Sequence, residues 1–111
     1  MGLEHLNEAR VERAMATLAE TDMQAADSKV MVLRTEQKIK TVKALVYSAL
    51  EGSIEDKKQK VELNSDVQKA YDDHFTAVRD YEIVRNRRER EVLVVELWRS
   101  VNASRRQGNM T

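Results

Sequence analysis

The chain has 111 residues, room for one domain, with no cysteine, no proline and glycine only at positions 2, 52 and 108. Proline and glycine are the strongest helix breakers, and an all-β domain of this size needs many turns, so that class is excluded. Charged residues make up 34% of the chain and aromatics 5%, the balance of solvent-washed helices with a narrow apolar seam. Nineteen acids against nineteen bases argue against a general polyanion binder.

A mean hydropathy of −0.62 would also suit disorder, but the apolar 41% is periodic, which disordered segments rarely show. The longest apolar runs, such as Val30 to Leu33 and Val92 to Val95, fall far short of the roughly 20 residues of a membrane span. They are also too short for a signal-peptide core, so a protein of the cytoplasm, without membrane contact, is expected. Charge is uneven: residues 1–28 hold six acids and two arginines, whereas residues 85–106 hold seven arginines and three glutamates.

Residues 3–20 read as a first helix, with Leu3, Asn7, Val11, Ala14 and Leu18 on one stripe. Thr21-Asp22-Met23-Gln24 has the spacing of a capping box; the alternative is a helix running straight through it. A long helix follows over 22–51, about 45 Å at 1.5 Å per residue. Its seam reads Met23, Ala26, Val30, Leu33, then Ile39, Val42, Val46, Leu50, interrupted by the polar stretch 34–38.

Gly52 stands where a left-handed residue ends a helix, and Ser53 offers a new N-cap with acids behind it. A short helix over 54–63 is expected, then a second capping box, Ser65-Asp66-Val67-Gln68. The last helix reads as 66–106, with a frayed tail at 107–111. Its stripe is Val67, Tyr71, His74, Val78 and Tyr81, continued less cleanly by Val84, Glu91, Val95, Trp98 and Asn102. The expected fold is all-α, a single domain formed by a long, coiled-coil-like antiparallel hairpin, with the N-terminal helix completing a bundle or a dimer.

A turn near residue 58 would set apolar 46–50 against 67–75, polar 34–38 against 85–91, apolar 30–33 against 92–95, and 23–26 against 98–102. In that register Glu36 and Gln37 meet Arg85 or Arg88 in an ion-pair layer, unless these long side chains simply reach solvent. Val92, Leu93, Val94 and Val95, followed by Leu97 and Trp98, sweep about 400° of helix surface, too wide for a two-helix seam. Either the N-terminal helix or a second protomer must cover the surplus, which marks a candidate protein interface. Arg87, Arg90, Arg99, Arg105 and Arg106, with Arg85 and Arg88, could form a strip for a nucleic-acid backbone. Arginines near a helix C-terminus also suit the dipole, and Trp98 fits the core.

No catalytic constellation is legible. His5 and His74 are the only histidines, and no Gly-rich phosphate loop or metal-ligand spacing occurs. A non-enzymatic protein without cofactor or metal is expected, one that forms homo-oligomers and binds another protein.

The ending Leu97-Trp98-Arg99-Ser100-Val101-Asn102-Ala103-Ser104-Arg105-Arg106-Gln107-Gly108 resembles endings of small helical early-region proteins of tailed bacteriophages. Such proteins are often encoded near replication and recombination genes. The resemblance implies a bacterial cytoplasm, a host or phage protein as target, or a DNA replication or recombination accessory role. It implies no catalytic residue.

Overall fold

In a computed structural model that describes residues 6–109, four helices follow in chain order: α1 (Glu8–Glu20), α2 (Asp22–Ala49), α3 (Ile54–Leu63) and α4 (Ser65–Asn109). The fold is an all-α helical hairpin. The expected first-helix residues 3–5, with Leu3, and residues 110–111 of the tail lie outside the described residues. Residues 107–109, expected to fray, continue α4.

The termini follow from local chemistry. Asn7, expected on the apolar stripe, instead caps α1, its side-chain oxygen accepting from the Arg10 N–H at 2.8 Å. Gly52 takes φ +122°, a backbone conformation that side chains disfavour, and so reverses the chain after α2. Ser53 caps α3 by accepting from the Asp56 N–H. At α4 the cap is Asn64, one residue before the expected Ser65: its Oδ1 accepts from the N–H groups of Asp66 and Val67 at 2.8 and 3.2 Å.

The Thr21 capping box does not form either. The Thr21 hydroxyl donates back to the Thr17 carbonyl at 2.6 Å, and backbone bonds Thr21 to Thr17 and Ala25 to Thr21 carry the ladder past the α1–α2 junction.

The chain forms two compact units. One holds α2 from residue 26, α3, and α4 up to residue 82. There α2 and α4 run antiparallel, with Val67, Ala70 and Ala77 buried on α4. Small alanines at this seam let the helix surfaces approach closely. The short α3 folds back on the end of α2. Val61 is buried, Lys57 stacks on the Tyr47 ring at 5.3 Å, and Lys43 pairs with Glu62 at 2.6 Å. Lys43 Nζ also donates to the Tyr71 hydroxyl. The Glu62 bond first, then Tyr71, holds the Lys43 pKa above its ordinary value.

The register of this unit differs from the alignment drawn from the sequence. Thr35 meets His74, with Oγ1 and Nδ1 2.8 Å apart, and Met31, Arg34 and Lys38 share an open groove with Asp73, Thr76 and Asp80. The polar stretch 34–38 therefore faces 73–80, about three helical turns from the expected 85–91. The pairing of Val46 with the start of α4 holds, since Val42 and Val46 line a groove with Asp66, Lys69 and Ala70. The alignment matched apolar letters to apolar letters. The folded seam instead pairs Thr35, from the stretch read as a polar interruption, with His74 of the α4 stripe through a hydrogen bond.

The seam on α2 is shifted for the same reason. Val32, Thr35, Ile39, Val42 and Val46 are half-buried, whereas Met23, Ala26, Val30 and Leu33, the expected first half of the seam, are exposed.

The second unit holds α1 and α4 from residue 83. Val11 and Ala14 of α1 and Val94 of α4 form its core, with Leu6, Val95 and Trp98 packed around them. Val94 and Val95 thus meet α1, where the alignment had set residues 30–33 of the second helix.

The caps give a direct check. Asn64→Ala should lower stability by about 1 kcal/mol, while Ser65→Ala should leave it nearly unchanged. Thermal melts of the two variants measure both; equal losses would mean that Ser65 shares the capping.

Candidate interaction surface

The α1–α4 unit is fixed by two polar contacts beside its apolar core. Arg10 donates two parallel hydrogen bonds to Glu91, Nη1 to Oε2 at 2.7 Å and Nη2 to Oε1 at 3.0 Å. This fork-to-carboxylate geometry is the most directional ion pair available to side chains. Both partners are largely shielded from water. The Arg10 hydrogen bond is the main reason that the Glu91 carboxyl titrates below its ordinary range, with the charges of Arg87 and Arg90 adding to it. The Arg10 pKa is raised in turn, chiefly by the same bond.

The second contact centres on Thr21, buried to 8% exposure. Arg88 Nη1 donates to the Leu18 carbonyl at 2.7 Å and to Thr21 Oγ1 at 2.8 Å, while Nη2 reaches Asp22 at 3.4 Å. The last carbonyls of a helix lack donors of their own helix, and Arg88 supplies one at the end of α1. Arg88, expected opposite Glu36 and Gln37, bonds instead to the end of α1 and the start of α2. Glu36 and Gln37 are exposed, and Arg85 pairs with Glu89 one turn along its own helix at 3.1 Å. The expected layer of Glu36, Gln37, Arg85 and Arg88 is replaced by Arg10–Glu91 and Arg88–Thr21, because α1 supplies the face opposite 88–98.

The candidate interface residues divide between two faces. Val94 is buried at 2% exposure, and Val95 and Trp98 pack beside it against α1. These three belong to the core of the chain, which corrects their assignment to an interface. Leu93 and Leu97 remain 56% and 48% exposed, and Val92 is exposed on the flank. At 100° per residue, Leu93 and Leu97 lie roughly opposite the Glu91–Val95–Trp98 face, with exposed Ile83 along the same outer side. An apolar stripe on the outside of a helix whose inner side is already buried has the character of a docking face.

The five arginines of the candidate nucleic-acid strip, Arg87, Arg90, Arg99, Arg105 and Arg106, are all exposed. They do not share one face: by helical period Arg99 and Arg106 lie more than about 90° around α4 from Arg87 and Arg105. Arg87 and Arg90 flank Glu91 and act on its charge.

Sequence reasoning missed Arg10, Thr21 and Thr35 as contact residues. For Thr21 and Thr35 the signal was a seven-residue spacing, which Arg10 does not share: Ala14, Thr21, Ser28, Thr35 and Val42 on one side, Val67, His74, Tyr81, Arg88 and Val95 on the other. All ten are buried or half-buried. Among the described residues there is no cluster of three or more His, Asp or Glu side chains that could hold a metal ion. Nor is any helix long and apolar enough to cross a membrane.

The Glu91 contact makes stability pH-dependent. A carboxyl whose pKa is lowered on folding stabilises the native state above its unfolded value, near 4.3, and that contribution is lost as pH falls through the folded value. Wild type should therefore lose protection in α1 as pH drops below about 4. Glu91→Gln should lose about 1–2 kcal/mol near neutral pH and flatten this acid dependence. Hydrogen exchange in residues 8–20 reads both effects. An unchanged acid profile in the variant would remove Glu91 as the titrating group.

Comparison with protein-family models, with curated proteins and with solved structures finds no match to this chain.

Proposed function

We propose that this protein is a non-enzymatic helical interaction protein that self-associates and presents its remaining apolar faces to another protein. One observation carries the reading: α4 keeps Leu93 and Leu97 on its outer side although its inner side already packs on α1. Removing apolar surface of this kind from water is worth about 25 cal/mol per Å². A pair of helices has no further layer of its own with which to cover it. Along the α2–α4 seam lie open grooves, shallow ground for enclosing a substrate.

The setting implied by the C-terminal resemblance, a bacterial cytoplasm and a phage or host protein as target, is part of this proposal. A second reading, a DNA replication or recombination accessory, draws on the exposure of Arg87, Arg90, Arg99, Arg105 and Arg106. Exposed arginines are free to neutralise phosphates, and binding of that kind weakens steeply as salt rises. Their spread around α4 favours the protein-interaction reading, because a straight nucleic-acid backbone needs its contacts along one side.

Light scattering coupled to size exclusion tests the leading reading. Wild type should run at a multiple of the 12.8 kDa chain mass. Leu93→Asp with Leu97→Asp should lower that mass and leave helix content and melting temperature unchanged, since both side chains are exposed. A wild-type chain that stays monomeric at all concentrations would sink self-association. Salt-sensitive binding of an oligonucleotide by that monomer would then favour the second reading.

A further inference from the structure

The outer face of α2 is another exposed apolar surface, and its charges show what it fits. Val30 and Leu33 are 45% and 57% exposed, and Ala26 is exposed beside them. The inner side of the same stretch, Ser28, Val32 and Thr35, is the half-buried one. By the helical period, Ala26 and Leu33 lie about 40° and 60° to one side of Val30, while Asp27 and Arg34 lie about 60° and 40° to the other. The face therefore has an apolar flank and a charged flank. The charged flank carries one acid and one base, seven residues apart and evenly placed about Val30 and Met31. Both are exposed, Arg34 at the rim of the groove it shares with Asp73 and Asp80, and among the described residues neither takes part in an ion pair.

This arrangement is its own complement. When two identical helices pack antiparallel about a two-fold axis, each flank meets the same flank of the other copy, and a residue a given distance before the axis meets the residue the same distance after it. With the axis between Val30 and Met31, Asp27 of each copy faces Arg34 of the other, so the pairing is made twice. The other flank brings Ala26 and Leu33 against the same residues of the second copy, and Val30 packs at the centre. A parallel arrangement would not bring Asp27 and Arg34 to the same level. A partner of arbitrary sequence has no reason to match a face whose charges are spaced to satisfy a copy of themselves.

We propose that a second copy of this chain docks antiparallel on the outer face of α2, with Val30 and Leu33 as the apolar contact and Asp27 and Arg34 as reciprocal ion pairs. The proposal rests on the self-association reading above and names its partner and register. Because exposed ion pairs contribute little by themselves, Asp27 and Arg34 select orientation while Val30 and Leu33 supply most of the association.

The test uses charge reversal and mixing. Asp27→Arg puts two bases opposite two bases, and Arg34→Asp puts two acids opposite two acids. Each variant alone should lose the α2-mediated dimer in light scattering and sedimentation, at least tenfold in dissociation constant. The double variant D27R/R34D should regain it. An equimolar mixture of the two single variants should form a heterodimer, since every contact across it is then opposite in sign. Loss of fold cannot produce rescue on mixing, so the mixture separates a docking defect from a structural one.

The same series in the L93D/L97D background reads the α2 face alone. Single variants that keep wild-type mass, or a mixture that stays unassociated, would overturn the α2 assignment. Self-association itself would still stand if wild type remains oligomeric and L93D/L97D dissolves it. A monomeric wild type would overturn both.

Discussion

The seven-residue spacing of buried positions is the constraint on which the other contacts depend. On α4 it runs Val67, His74, Tyr81, Arg88, Val95 and Asn102, with Ala70, Ala77, Val84, Glu91 and Trp98 between them, all buried or half-buried. A helix turns 3.6 residues per turn, so a seven-residue repeat holds a stripe nearly straight along the axis and lets a single face meet its partners. Whatever the sequence places at those positions has to be made compatible with a helix–helix seam. At several of them it places a polar side chain.

Each such position is resolved by a specific partner. Thr35 lies within reach of the carbonyls of Met31 and Val32, at 2.9 and 3.1 Å, and directs its hydroxyl hydrogen to them. Its oxygen also lies 2.8 Å from His74 Nδ1, a hydrogen bond that ties α2 to α4. Arg88 serves a carbonyl at the end of α1 and the buried Thr21 hydroxyl together. Glu91 takes both arms of Arg10. Among the described residues no buried side-chain nitrogen or oxygen is left without a partner. Polar pairs of this kind add modest net stability, because desolvation offsets their attraction. They make other registers costly, because sliding the helices would leave a guanidinium or carboxylate unsatisfied. Apolar contacts alone, most of them valine and alanine here, would discriminate poorly between registers one heptad apart.

A narrow seam has a second consequence. One stripe per helix is all that a pair of helices can bury, so apolar residues outside it stay in contact with water. Leu93 and Leu97 on α4, and Val30 and Leu33 on α2, lie on the sides turned away from their own seams. The proposed function rests on this geometry: the chain keeps apolar side chains exposed outside its seams.

Helix existence, the absence of strands among the described residues and the break at Gly52 and Ser53 were legible in the sequence, because they depend on residues close in the chain; the caps at Asn7 and Asn64 were not read as such. Asn7, Gly52, Ser53 and Asn64 act on backbone groups within a few residues, and the lack of proline leaves the long helices uninterrupted. Register and helix partners were not legible. The apolar pattern of α2 carries two stripes, and the stronger one, through Met23, Val30 and Leu33, faces solvent, while the weaker one, through Ser28, Val32 and Thr35, faces α4. Choosing between them requires knowing that Thr35 meets His74 and that α1, rather than α2, occupies the face beside Val94 and Trp98. Those are contacts between residues tens of positions apart. A polar side chain shows no sign in the linear chain of whether its partner will be water or another helix, so only the tertiary structure decides it.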